Sequence, residues 1–179
     1  MKRFLKCCVT VSALSSLVAA PVLLCAGQAS ALPAQRGTDA SYVGAGIAAG
    51  VTNGGQNGDA ATFGGNLAGR LKLGNTPFSA RGQINFSDQT SAIIPYVSAD
   101  VPIARGTNAY VGAGYQFVEK KGSPTPSGNT NGVAVVAGVE SQVANNVLLY
   151  TNVTTGINAY KDSSASGASI NAGVGFKFK

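Results

Sequence analysis

Residues 63–86 read FGGNLAGRLKLGNTPFSARGQINF, and their alternation decides the fold. In the first half Phe63, Gly65, Leu67, Gly69, Leu71 and Leu73 fall on one face of an extended chain, with Asn66, Ala68, Arg70 and Lys72 on the other. After Gly74-Asn75-Thr76 the pattern resumes, and Phe78, Ala80, Gly82, Ile84 and Phe86 oppose Ser79, Arg81, Gln83 and Asn85. A period of two on both sides of a Gly-Asn turn predicts an antiparallel hairpin with one apolar and one polar face.

The same period runs through the rest of the chain, broken by Gly, Asn, Pro and Ser clusters, and nowhere gives way to a helical period. Strands are expected at 41–51, 62–73, 77–87, 91–103, 109–119, 132–143, 147–160 and 168–178. Each is near the roughly 9–11 residues that cross a bilayer at a tilt. In the sixth, Val133, Val135, Ala137, Val139 and Val143 oppose Gly138, Glu140 and Gln142; in the last, Ala168, Ile170, Ala172, Val174, Phe176 and Phe178 oppose Ser169, Asn171, Gly173, Gly175 and Lys177. Connections alternate between long or polar (52–61, 87–90, 120–131, 161–167) and tight (74–76, 104–108, 144–146). That is the hairpin logic of a closed up-and-down barrel, which also removes sheet edges. The expected fold is all-β, an eight-stranded antiparallel up-and-down transmembrane β-barrel.

The first 31 residues read as a cleaved secretory signal: Lys2, Arg3 and Lys6, an apolar centre over Val9–Leu24, and Ala29-Ser30-Ala31 as the cleavage site. A polar segment, 32–40, then leads into the barrel at 41–179. Cleavage after Ala31 would leave 148 of the 179 residues, with 10 Lys+Arg against 7 Asp+Glu, so the basic balance belongs largely to the leader. Cys7, Cys8 and Cys25 leave with it, so an exported domain of this kind is stabilised by its fold and not by disulfides.

Two barrels share the alternation. A soluble secreted barrel turns its apolar face inward around an apolar ligand; an outer-membrane barrel turns it outward into lipid. A polar face in open water would carry roughly a quarter to a third charged residues, whereas the chain is only 11% charged and that face holds chiefly Gly, Ser, Thr, Asn, Gln and Tyr. Phe63, Phe78, Phe86, Tyr115, Phe117, Phe176 and Phe178 fall near strand ends, as interfacial girdles require, although Trp, a favoured girdle residue, is absent. The lipid-facing arrangement is therefore expected.

The chain resembles the small outer-membrane β-barrel proteins of the OmpA, OmpX and opacity-protein type over residues 41–179. The resemblance is carried by Tyr42-Val43-Gly44-Ala45-Gly46, by Tyr110-Val111-Gly112-Ala113-Gly114 with Tyr115-Gln116-Phe117 behind it, and by the closing Gly173-Val174-Gly175-Phe176-Lys177-Phe178. It implies an outer-membrane location in a two-membrane bacterium, lipid and the barrel-assembly machinery as partners, and a terminal aromatic that the machinery reads. Here Lys179 follows Phe178. The repeated pentapeptide is explained by strands that both need small residues, without invoking duplication.

No enzyme, cofactor or metal site is expected. The chain has no His, which excludes Ser-His-Asp and Cys-His systems and the His-dependent chemistry of membrane-barrel hydrolases that the resemblance would suggest. Asp59, Asp88 and Asp162 stand singly. Gly44–Gly50 has the look of a nucleotide-binding Gly motif but runs into Val51-Thr52-Asn53-Gly54-Gly55, a turn and not a helix, and no nucleic-acid partner is expected. The informative charges face the lumen. Counting from the tight turns places Arg70, Arg81, Asp100 and Glu140 at a similar height, with Tyr96 and Tyr150 nearby. Two readings stay open: an internal network that obstructs flow, or separately hydrated charges in a narrow channel for small solutes or ions. In the longest loop, Lys120 and Lys121 suit contact with surface polysaccharide, anionic lipid or a host ligand, unless that loop is simply solvated.

Overall fold

The computed structural model describes residues 37–52 and 62–178. The leader, the greater part of the 32–40 segment, the first loop over 53–61 and Lys179 lie outside the described residues. Eight strands form: β1 (Ser41–Gly50), β2 (Phe63–Lys72), β3 (Phe78–Phe86), β4 (Ser91–Ala104), β5 (Thr107–Val118), β6 (Gly132–Gln142), β7 (Val147–Gly156) and β8 (Gly167–Phe178). Every strand pairs antiparallel with its sequence neighbours, and β1 pairs with β8 to close the barrel.

Following paired residues once round, from Tyr42 through Arg70, Arg81, Tyr96, Gly114, Ala134, Gly156 and Gly167, leads back to β1 level with Thr52, ten residues from the start. This stagger is the shear of the barrel; with eight strands it tilts them roughly 40° and leaves an interior that side chains can just fill.

The alternation resolves as outward apolar and inward mostly polar. Val43, Ile47, Leu67, Leu71, Ile93, Val97, Val111, Val133, Leu149 and Val174 all lie on the exposed surface. Phe63, Phe86, Tyr115 and Phe117 ring the long-loop end, and Phe78, Phe176 and Phe178 the short-turn end. A continuous apolar exterior of this kind is unsuited to water, so the alternative of a soluble barrel with its apolar face turned inward is overturned.

Four local differences from the expected pattern have physical causes. β7 stops at Gly156, not residue 160, because Asn158 takes a left-handed φ of 51° and swings Ala159 and Tyr160 over the barrel mouth. The turn expected over 104–108 shrinks to Arg105-Gly106, with Gly106 at φ 73° and a register shift between Pro102 and Ala104. The β4–β5 ladder skips Ile94 and Pro95, where the proline has no N–H to give. The inward face is also not uniformly polar: Ile94, Val136, Leu148, Ala92 and Ala134 are buried inside. They sit in apolar runs such as Ala92–Val97, in which alternation is invisible.

Leu67 lies outward at mid-strand. Leu67→Arg is expected to destabilise the barrel by about 2–4 kcal/mol, the depth-dependent cost of a cation at the bilayer midplane, as measured by reversible denaturant unfolding in lipid vesicles.

Candidate functional site: a charged ring inside the barrel

Arg70 of β2 and Arg81 of β3 are direct cross-strand partners, and both side chains enter the lumen. Two adjacent guanidinium groups out of water repel unless anions bridge them. Asp100 of β4 and Glu140 of β6 do so. Asp100 lies 2.8 Å from Arg70 and 3.0 Å from Arg81; Glu140 lies 2.7 Å from Arg70 and 2.9 Å from Arg81. Each carboxylate therefore touches both cations, giving a closed ring of four charges with no net charge. In an eight-strand ring β2 and β6 are diametrically opposite, so the Arg70–Glu140 pair spans the lumen.

Neutral partners complete the coordination. Arg70 Nε donates to Ser79 Oγ at 2.9 Å and Arg81 Nε to Ser98 Oγ at 2.8 Å. Both serines donate in turn to Asp100. Arg81 Nη1 donates to the Tyr42 hydroxyl at 3.2 Å, and its guanidinium carbon lies 3.8 Å from the centre of the Tyr110 ring. From below, the backbone before β1 folds under the ring. The carbonyls of Thr38 and Ala40 accept from Arg70 at 3.1 and 3.2 Å, and the Thr38 carbonyl also accepts from Asn108 at 2.7 Å. Asn108 donates as well to Glu140 at 3.2 Å. At the rim, Lys72 pairs with Asp39 at 2.6 Å.

Tyr96 and Tyr150 occupy different surroundings. Tyr96 is the cross-strand partner of Arg81 and packs with Ile94, Tyr110, Ala134 and Val136 into an apolar layer. Tyr150 is the cross-strand partner of Glu140, but its hydroxyl donates to Asn66 Oδ1 at 2.7 Å and its ring stacks on Tyr42. Ser79, Ser98, Asn108, Tyr42 and Tyr110 join the network beyond the six residues expected there, although all lie on the inward parity of their strands. The Thr38 and Ala40 carbonyls carry no side-chain signal at all.

On the long-loop side of the ring lies a layer of amides and hydroxyls. Asn66 Nδ2 and Gln83 Nε2 donate to Asn85 Oδ1 at 2.7 and 3.1 Å, Gln83 Nε2 reaches Thr154 at 3.0 Å, and Asn171 Nδ2 donates to Asn152 at 2.8 Å. Beyond it, the loop between β5 and β6 divides in two. Lys120, Lys121 and Gly122 are exposed, whereas Thr125–Asn129 are buried, so the second half is no solvated excursion. Tyr160 of the last loop bonds Thr52, and burial pushes its phenol above the ordinary range.

Solved structures share this fold. Neisserial surface protein A aligns with a TM-score of 0.57 at 20% identity, covering 77% of this chain and 97% of its own. A de novo designed transmembrane β-barrel aligns at 0.54 and 12% identity, covering 80% of this chain and all of its own. The N-terminal β-barrel domain of Pseudomonas aeruginosa OprF aligns at 0.50 and 14% identity, again over 80% of this chain and all of that domain. At these identities the likeness is one of fold: a closed eight-stranded barrel of the small transmembrane type. No family model and no curated protein sequence matches the chain.

Removing one member of a buried charge set leaves its partner uncompensated, at about 3–5 kcal/mol. Glu140→Leu is expected to destabilise by that order. Arg81→Met combined with Glu140→Leu keeps the ring neutral through Arg70 and Asp100 and should cost less than the two single changes together. Denaturant unfolding of the four proteins as a double-mutant cycle measures the coupling.

Proposed function

We propose that the chain is a non-enzymatic outer-membrane barrel with a sealed lumen, whose work is to stabilise the membrane and to present its loops at the surface. On this reading residues 1–31 direct export and are removed after Ala31, both chain ends stay on the periplasmic side, and the C-terminal strand ending at Phe178 is what the assembly machinery receives. The observation that carries the sealed lumen is the Arg70–Glu140 pair, joined across opposite walls with both side chains fully buried. A hydrated pore offers its charges to water; here the guanidinium and carboxylate groups are consumed by one another, by two serines and by backbone carbonyls. The missing His and the mutual satisfaction of these charges both speak against a catalytic centre.

Planar-bilayer recording tests the seal. Wild-type protein is expected to give no large, steady openings, and Arg81→Ala with Glu140→Ala is expected to raise conductance by removing both bridges to β6, Arg70–Glu140 and Arg81–Glu140. Large steady openings from wild-type protein would establish the competing reading, a narrow channel for small solutes or ions.

The exposed Lys120 and Lys121 support the surface-contact role, with anionic polysaccharide or lipid headgroups as the chemistry they suit. Lys120→Gln with Lys121→Gln is expected to weaken retention on a sulfated-polysaccharide column, with elution at lower salt than wild type and no change in unfolding midpoint.

A further inference from the structure

We propose that Thr125–Asn129 forms a lid, seated on glycines, over a water-filled polar compartment in the outer half of the lumen. The loop springs from β5 and β6, yet its tip reaches β8 and β1 across the mouth as well as the adjacent β7. A Cβ on Gly50 of β1 would stand 2.7 Å from the Pro126 carbonyl oxygen. On Gly167 of β8 it would stand 2.5 Å, and on Gly156 of β7 3.3 Å, from the Ser127 carbonyl oxygen. All three glycines face inward at the long-loop ends of their strands and are buried. Three strands distant in sequence thus omit a side chain at the places where the loop backbone rests.

The tip is held together by its own bonds. Thr125 and Gly128 exchange backbone hydrogen bonds at 3.0 and 3.2 Å, and Thr125 Oγ1 donates to the Gly128 carbonyl while accepting from Ser127 N. Gly122 N also donates to the Asn129 carbonyl, and further ties run to neighbouring loops: Asn129 N and Thr130 N to the Ala159 carbonyl, Lys161 N to Asn129 Oδ1, and Ser87 Oγ to the Pro124 carbonyl. Such a turn can lift as a unit without breaking the barrel ladder. Gly122, at φ 91°, lies on its exposed side, where the backbone can absorb the change.

Beneath the tip, Gln83 Oε1, Asn85 Nδ2, Gln116 Oε1, Ser169 Oγ and Asn171 Oδ1 have no hydrogen-bond partner among the described residues, although each residue is at most 1% exposed. They come from β3, β5 and β8 and lie between the charged ring and the loop. Buried amide and hydroxyl groups left this way are satisfied by ordered water. All five are uncharged amide or hydroxyl groups, so the compartment takes water and small hydrogen-bonding solutes. It is independent of the seal below, because no member of the charged ring contributes to it.

The three cysteines at 7, 8 and 25 precede the barrel, so a barrel preparation lacking the leader carries no native thiol. Ser169→Cys then places a single reporter beneath the lid. The folded protein, verified by heat-modifiable gel migration, is treated in detergent micelles with a small methanethiosulfonate reagent. Labelling is expected to be slow with the loop intact and about tenfold or more faster with Gly167→Ala, which unseats Ser127 and raises the open population. Gly82→Ala, whose Cβ meets nothing within 4 Å, should leave the rate unchanged. Deleting residues 123–128 gives the same acceleration without touching a strand. Fast labelling with the loop intact would overturn the lid. A thiol inert even in the deletion variant would overturn the hydrated compartment.

Discussion

The pairing of β1 with β8 is the constraint on which the rest depends. In hydrocarbon no water is available to an unpaired N–H or C=O, so a sheet crosses a bilayer only if it has no edge. Closure is achieved over ten residue pairs, from Ser41↔Phe178 to Gly50↔Ser169. Once the sheet is a cylinder, each residue faces either the exterior or a confined interior, and the period of two becomes a partition between two solvents. That explains a chain that is 45% hydrophobic and has no membrane-length apolar helix among its described residues: its hydrophobicity is distributed at alternate positions.

Confinement then dictates the interior. A shear of ten in an eight-strand barrel leaves a cross-section that large side chains can fill only if their neighbours have none. Tyrosines and glycines supply this complementarity. A Cβ on Gly44 would lie 2.8 Å from the Tyr150 ring, one on Gly112 2.9 Å from Tyr96, and one on Gly138 2.7 Å from the Tyr110 hydroxyl. The charged ring obeys the same economy. Two arginines and two carboxylates cancel in charge and reach across the bore, and their remaining donors fall to serines, a tyrosine hydroxyl and carbonyls. Many of the glycines that look conformationally permissive in the sequence are, in the lumen, space for tyrosine rings.

Strand existence, face and order were legible because the cause, alternation between two solvents, is local. The juxtaposition of Arg70 and Arg81 was legible for the same reason, since a tight turn fixes their register. The nominal heights of Asp100 and Glu140 could be counted from their own turns, but the closure that sets β6 opposite β2, and the shear that fixes their relative height, are properties of the whole sheet and are written in no single hairpin. Apolar runs obscured the rest. In Ala92–Val97 either parity reads as hydrophobic, so Ile94 gave no sign of belonging to the interior.

The two ends of the bore were the least legible parts, and for one physical reason. At the short-turn end the closing groups are the carbonyls of Thr38 and Ala40, which every residue possesses. At the other end the loop around Ser123-Pro124-Thr125-Pro126-Ser127-Gly128 has the composition of a solvated loop, and a compact turn packed against a wall needs the same small, polar and turn-forming residues. Composition alone does not distinguish the two. The distinction lies in Gly50, Gly156 and Gly167, each unremarkable within its own strand and informative only when closure of the barrel brings all three beneath one loop. Information about the outer mouth therefore resides in the residues it rests on more than in those that cover it.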